Sequence, residues 1–200
     1  LWVLLATTAL DYFGVEIRAL LAGLGIGGIA VALAAQNILG DLFAAMAIVL
    51  DRPFVLGDFI IVGDMKGVVE NIGLKTTRIR SLSGEQIAVA NSELLKGRIQ
   101  NYGRMNERRV VFTVDVTYDT GPELVAAIPG IIRDIIGAQP KTRFDRSHFL
   151  NFAASSLQVE TVYYVLDRDY NVHADIQHAI NLEILRRFNA RKIEFAFPSR

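Results

Sequence analysis

The sequence predicts three parts in series: a membrane-spanning α-helical segment, a small all-β barrel and an α+β domain. Three observations predict this. Residues 19–35 are 17 consecutive positions without a charged or strongly polar side chain. Beyond Pro53 the apolar period falls to two over several short runs, as in strands. From Arg108 onward, strand-like and helix-like patterns follow one another as β-α-β-β-α-β.

Charge is distributed to match. The 200 residues hold 21 basic and 21 acidic side chains, a formal net charge of zero, which argues against a nucleic-acid partner. Residues 1–50 contain only Asp11, Glu16, Arg18 and Asp41; the other 20 basic and 18 acidic residues lie in 51–200. The apolar first quarter raises the mean hydropathy to +0.32. Cysteine is absent, which excludes disulfides and thiolate metal sites. The chain begins Leu1-Trp2 without an initiator Met, as a piece of a longer protein does, and its start lacks the basic region of a signal peptide.

Residues 1–16 are expected to hold the end of one apolar helix (1–10) and an aqueous turn, Asp11-Tyr12-Phe13-Gly14. Residues 17–52 follow as a membrane helix. At about 1.5 Å per residue, the run 19–35 spans about 26 Å, close to the thickness of a bilayer core. Gln36 and Asn37 interrupt the run and predict a kink, although an amide pair also suits a plain helix end. A second helix is expected over 38–50. Its Leu39, Leu42, Phe43, Met46 and Val49/Leu50 suit the membrane–water boundary.

On a helical wheel, Ala22, Ile26, Ile29 and Leu33 share one face. Gly25, Gly28, Ala32 and Ala35 lie on one flank, and Gly23, Gly27, Ala30 and Ala34 on the other. Small residues on both flanks let a helix approach a neighbour closely on each side. A helix that packs alike left and right closes into a ring, and the aliphatic face then points at the ring axis. Ile29 and Leu33, four residues apart, would form two constrictions able to stop ions by dewetting. Two other readings exist. Gly23-x-Gly25-x-x-Gly28, with Asp41 downstream, matches a dinucleotide-binding fingerprint and would make an oxidoreductase, but that motif needs a preceding strand and a βαβ unit. A buried helix of a soluble protein is the other, though nothing downstream supplies helices to bury it.

Pro53 ends the helical pattern. Short strands are expected at 59–62, 67–72, 76–80 and 86–90, with a last one at 99–102. Turns are expected at Gly57-Asp58, Gly63-Asp64 and Ser83-Gly84. Five short strands in so little chain suggest a small barrel of the Sm-like/SH3-like kind over 53–104. Asn91-Ser92 is placed to cap a short helix.

Residues 105–200 form the α+β part, of ferredoxin-like order. Val110, Phe112, Val114, Val116 and Tyr118 alternate as a half-buried strand; 122–137 and 172–190 are helical; two strands flank a turn at 153–156; and 192–197 closes the set as a strand. No catalytic constellation, cofactor motif or metal-ligand spacing stands out. His148, His173 and His178 suit a solvated surface, as does the turn Asp167-Arg168-Asp169. The basic run 104–109 suits anionic lipid headgroups, a domain interface or a solvated linker between two domains.

Together these residues resemble the MscS-like family of small-conductance mechanosensitive channels. The resemblance rests on the order and spacing of GLGIGGIAVALAAQ, Arg52-Pro53-Phe54, Gly57-Asp58, Gly67-Val68-Val69, Asn91-Ser92 and Asn101-Tyr102-Gly103-Arg104. It implies a homoheptamer in the cell's inner (plasma) membrane, multi-pass, with its soluble domains forming a cytoplasmic vestibule. Its partners would be membrane lipids, other copies of the chain, and permeant ions and small osmolytes released on hypo-osmotic shock. Ile29 and Leu33 would be the gate. Gly25, Gly28 and Ala32 would pack against Ala22, Ile26 and Ala30 of the neighbour, with Gln36-Asn37 at the kink. Three positions depart from the family pattern. Asn37 stands where a kink glycine is common, Ala45 replaces a second glycine, and Ile26 replaces an alanine in the packing seam. The family also needs further transmembrane helices upstream and adds a short C-terminal β-barrel. A membrane-anchored scaffold or a ligand-gated relative remains the alternative.

Overall fold

The computed structural model describes residues 17–197, with side chains from residue 21 onward. The expected helix end at 1–10 and turn at 11–14 lie outside the described residues. The chain forms two compact units, Leu1–Asn101 and Tyr102–Arg200.

The first unit begins with α1 (Ile17–Asp51), a single helix of 35 residues, about 52 Å long. Where a kink and a second helix are expected, the helix is not interrupted: α1 continues through Gln36 and Asn37 to Asp51 as one element. Both amide side chains are exposed, so neither competes with the backbone ladder. The helix stops at Arg52. Its φ of 48° is left-handed, its N–H still donates to Ile48 O at 2.9 Å, and Pro53 forbids a further turn.

An antiparallel sheet follows: β1 (Phe59–Val62), β2 (Met65–Ile72), β3 (Thr76–Ser81), β4 (Gln86–Ala90) and, after the short helix α2 (Asn91–Lys96), β5 (Ile99–Asn101). Its order is β4-β3-β2-β1-β5, so β4 and β5 are its two edges. The two-residue turn Gly63-Asp64 joins β1 to β2, with Gly63 left-handed at φ 57°. Alternation buries Ile60, Val62, Val69, Ile79 and Val89 on one face, with Ile48, Phe54 and Leu94 among them. The exit loop after α1 is stapled. Asp58 Oδ2 accepts from Val55 N–H at 2.9 Å and from Asn101 Nδ2 at 2.7 Å, and the same Nδ2 donates to Pro53 O at 3.0 Å.

The close approach of β3 dictates Gly67. A Cβ built there would lie 2.2 Å from Arg80 O and 2.7 Å from Ile79 Cγ2. Backbone must move to admit it. Gly67→Ala is expected to destabilise this unit by about 3 kcal/mol, read as a lowered denaturant midpoint. A midpoint unchanged from wild type would show that the strands have room to spread.

Asn91 does not cap α2; Ala90 is the N-cap residue and offers no side-chain bond. Asn91 is instead fully buried inside the first turn. Its Oδ1 accepts from Thr77 Oγ1 and its Nδ2 donates to Gly73 O, both at 2.8 Å. Burial made the side chain a strut between α2 and β3, because both polar ends had to be satisfied inside the core.

The second unit holds β6 (Arg108–Val116), α3 (Pro122–Gly137), β7 (Thr142–Phe152), β8 (Leu157–Val165) and α4 (Tyr170–Ala190). The sheet order is β6-β8-β7, all antiparallel. The closing strand expected at 192–197 is reduced to one bridge, Val116↔Phe195, flanked by Thr117 N–H to Glu194 O and Ala196 N–H to Asp115 O. Its place beside β6 keeps the split order. Helices α3 and α4 cover the sheet with Ile128, Ile132, Ile135, Ile180, Ile184 and Phe188. Tyr163 is fully buried and its hydroxyl donates to Gln177 Oε1 at 2.8 Å. Burial pushes its pKa up to about 12, so the phenol stays neutral at physiological pH.

Candidate functional site

Helix α1 has two halves with different surroundings. Every described side chain from Leu21 to Ala34 is exposed, large apolar ones included: Leu24 is 69% exposed, Ile26 72% and Leu33 64%. The window Leu21–Asp51 is long and apolar enough to cross a bilayer. An apolar surface of this extent does not stay in water.

The expected gate and packing residues all lie on this bare half, with Gln36 and Asn37 just beyond it. Ile29, Leu33 and Gln36 share one shallow apolar groove along the helix with Ala32, Leu39, Gly40 and Phe43. Ala22, Gly25, Ile26, Gly28, Ala30 and Ala32 are exposed, and no other described element covers them. The glycines are informative. A Cβ added at Gly23, Gly25, Gly27, Gly28 or Gly40 would meet nothing within 4 Å. Glycine inside a helix costs about 0.5–1 kcal/mol relative to alanine. Nothing within the described chain requires that cost, so any close approach that these glycines serve comes from outside it. Their position inside one helix also disposes of the dinucleotide reading, whose first two glycines form a turn after a strand.

The second half of α1 is anchored. Asp41, Ala44, Ala45 and Ile48, at helical spacing, are the buried face, with Ile48 only 1% exposed in the β-unit core. Phe43, Met46 and Leu50 stay exposed on the opposite side. Asp41 fixes the contact. Its Oδ1 accepts from Ser92 N–H at 3.1 Å and from Ser92 Oγ at 2.5 Å. A carboxylate on α1 thus supplies the N-terminal acceptor that Asn91 does not give α2. The sequence singled out Asp41 only as the acid downstream of a dinucleotide-binding fingerprint. The signal available was a lone acid in the long apolar run 19–50.

The remaining candidates take structural places. Asp167-Arg168-Asp169 is more than a solvated turn. Asp167 pairs with Lys141 Nζ at 2.8 Å, Arg168 Nη1 donates to Gly103 O at 3.2 Å, and Asp169 caps α4 by accepting from Asn171 N–H at 2.8 Å. In the basic run, Glu107 pairs with Arg143 at 2.8 Å. His148 and His178 are exposed, but His173 is half-buried, contrary to a solvated placement. Among the described residues no group of three or more His, Cys, Asp or Glu is placed to hold a metal ion.

Comparison with known proteins follows this division. Residues 1–36 match the family profile "Mechanosensitive ion channel, transmembrane helices 2/3", residues 37–104 "Mechanosensitive ion channel, beta-domain", and residues 110–195 "Mechanosensitive ion channel MscS, C-terminal". The large-conductance mechanosensitive channel MscMJLR of Methanocaldococcus jannaschii is 37% identical over 99% of this chain and 56% of its own length. The small-conductance channel MscMJ of the same organism is 38% identical over 96% of this chain and 55% of its own. The chain therefore spans little more than half the length of these relatives. The crystal structure of Helicobacter pylori MscS in its closed state superposes with a TM-score of 0.78 at 26% identity, covering 96% of this chain and 76% of that one. The cryo-EM structure of Arabidopsis thaliana MSL1 gives 0.84 at 21% identity, covering 95% and 69%, a likeness of fold.

Proposed function

This chain belongs to the MscS family of mechanosensitive channels, and from that premise we propose that α1 lines the pore of a homo-oligomeric, tension-gated channel. The observation that carries the proposal is the bare half of α1, apolar all round and holding glycines that serve no contact in the described chain. Copies of α1 side by side give those glycines their purpose. Gly25, Gly28 and Ala32 of one copy meet Ala22, Ile26 and Ala30 of the next. Ile29 and Leu33 then face the axis as two aliphatic rings, and a narrow apolar ring excludes water and ions.

In this reading the assembly is a heptamer in the inner membrane, and further helices of each subunit sense the lipid. Tension widens the ring, the small flanks slide past one another and the gate wets. Ions and small osmolytes leave on hypo-osmotic shock. The exposed Phe43, Met46 and Leu50 rest at the membrane boundary while Asp41, Ala44, Ala45 and Ile48 seat the helix on the β unit. The soluble parts of the chain contribute to a cytoplasmic vestibule. The protein catalyses no reaction in this scheme.

Patch-clamp of the full protein in liposomes under stepped suction tests this. Discrete currents above a reproducible tension are expected. Silence up to rupture, from inserted and oligomeric protein, would point instead to a membrane-anchored scaffold or a ligand-gated relative.

A further inference from the structure

The second unit carries a cationic cluster that the channel reading leaves unused. It sits where the start of β6 meets the first turn of α4. The Arg108 guanidinium lies between two aromatic rings, 5.8 Å from the Tyr102 centroid and 5.6 Å from that of Tyr170. The Tyr170 ring meets the His173 imidazole edge-on, with centroids 5.7 Å apart and planes at 70°. Arg108 Nε and His173 Nδ1 are both buried without a hydrogen-bond partner among the described residues. Two orphaned nitrogens in one cluster are unusual, since nearly all buried polar atoms find partners.

Such a place resists a second positive charge. His173 lies half-buried in the first turn of a 21-residue helix, where the helix dipole is positive. Arg108 is the cation that faces it from β6. From β8, the buried Tyr163 reaches Gln177, one turn along the same helix. The nearby carboxylates are already engaged. Asp169 accepts from Asn171 N–H, and Asp167 is held by Lys141 and by the Asp169 N–H. Burial, then the Arg108 charge, hold the His173 pKa below the ordinary 6.5.

We propose that His173 is an acid-sensing switch, in which protonation of its ring beside Arg108 unseats the Tyr102–Arg108–Tyr170 stack and loosens the first turn of α4. The sign follows from linkage. Above pH 6.5 the ring is neutral whether this corner is closed or open, and the closed form suffers no penalty. As pH falls below 6.5 the open form takes up the proton first, so acid favours opening. Tyr102 is the residue at which the chain enters this unit, so the stack ties down the start of the unit.

Hydrogen exchange of the whole chain in detergent tests the switch. After correction for intrinsic rates, residues 102–108 and 170–177 should exchange several-fold faster at about pH 5.5 than at about pH 7.5. His173→Gln should abolish that acceleration, while His148→Gln and His178→Gln should leave it intact. Acceleration that persists in His173→Gln, or none in wild type, overturns the proposal. A second measurement holds even if the His173 variant folds poorly. The carbon-13 shift of the His173 ring should titrate below 6.5 in wild type and move upward in Arg108→Gln. A midpoint that does not move shows that Arg108 does not govern the proton, and the switch fails.

Discussion

Leu33→Ser is expected to open the channel at markedly lower tension than wild type, and Ile29→Ser to act in the same direction. Each change replaces a fully aliphatic side chain with a small hydroxyl at a position where α1 has no cover of its own. Removing a leucine from an apolar contact forfeits about 1.5–3 kcal/mol. A ring repeats that change once per copy, so a modest loss per chain becomes a large bias toward the wet state. Cells expressing either variant should grow slowly, because a leaking pore dissipates their ion gradients. Leu33→Met, which keeps volume and hydrophobicity, should leave the threshold close to wild type. If both serine variants open at the wild-type tension, Ile29 and Leu33 are not the gate.

The second large effect is expected at the joint between α1 and α2. Ser92→Ala leaves the Asp41 carboxylate, 5% exposed, with the backbone N–H but without the hydroxyl at 2.5 Å. Losing a donor to a buried carboxylate costs about 1–3 kcal/mol. Asp41→Ala should cost at least as much, because both Ser92 donors lose their acceptor and α2 its N-terminal anion. Asp41→Asn keeps an acceptor oxygen and should fall between. Thermal unfolding of the two alanine variants and their double mutant should give a coupling energy of about 1–2 kcal/mol. Additive effects would mean that the contact does not hold the helix to the β unit. In the channel reading this joint carries the motion of α1 to the soluble part. The same variants should therefore also change how long currents last under held tension.

Local patterns carried much of this molecule. The apolar run 19–35 announced α1, because seventeen residues without a charge admit few structures besides a helix in lipid. Period-two alternation announced β1 to β4, and Gly57, Gly63 and Gly84 marked turns where φ is indeed positive. These features depend on neighbours within a few residues. The helix through Gln36 and Asn37 was not legible, because an amide pair is compatible with either a break or a continuation. Only the rest of the fold selects between them.

Nonlocal contacts decided the remainder. Asp41 and Ser92 are 51 residues apart, and no local pattern assigns them to one another. Asn91 has the composition of a cap, yet it lies beneath β3, where Thr77 and Gly73 O take both ends of its amide. The segment after α4 alternates like a strand, yet its pairing with β6 is confined to the neighbourhood of Phe195. Composition and periodicity were enough to define the long apolar helix and the order of elements, since each is a property of short stretches or of their succession, while the family was legible only in the resemblance of particular motifs such as GLGIGGIAVALAAQ and Arg52-Pro53-Phe54. The partner of each buried polar side chain came only from tertiary structure, because desolvation penalises an unsatisfied group without specifying where in the chain its partner lies.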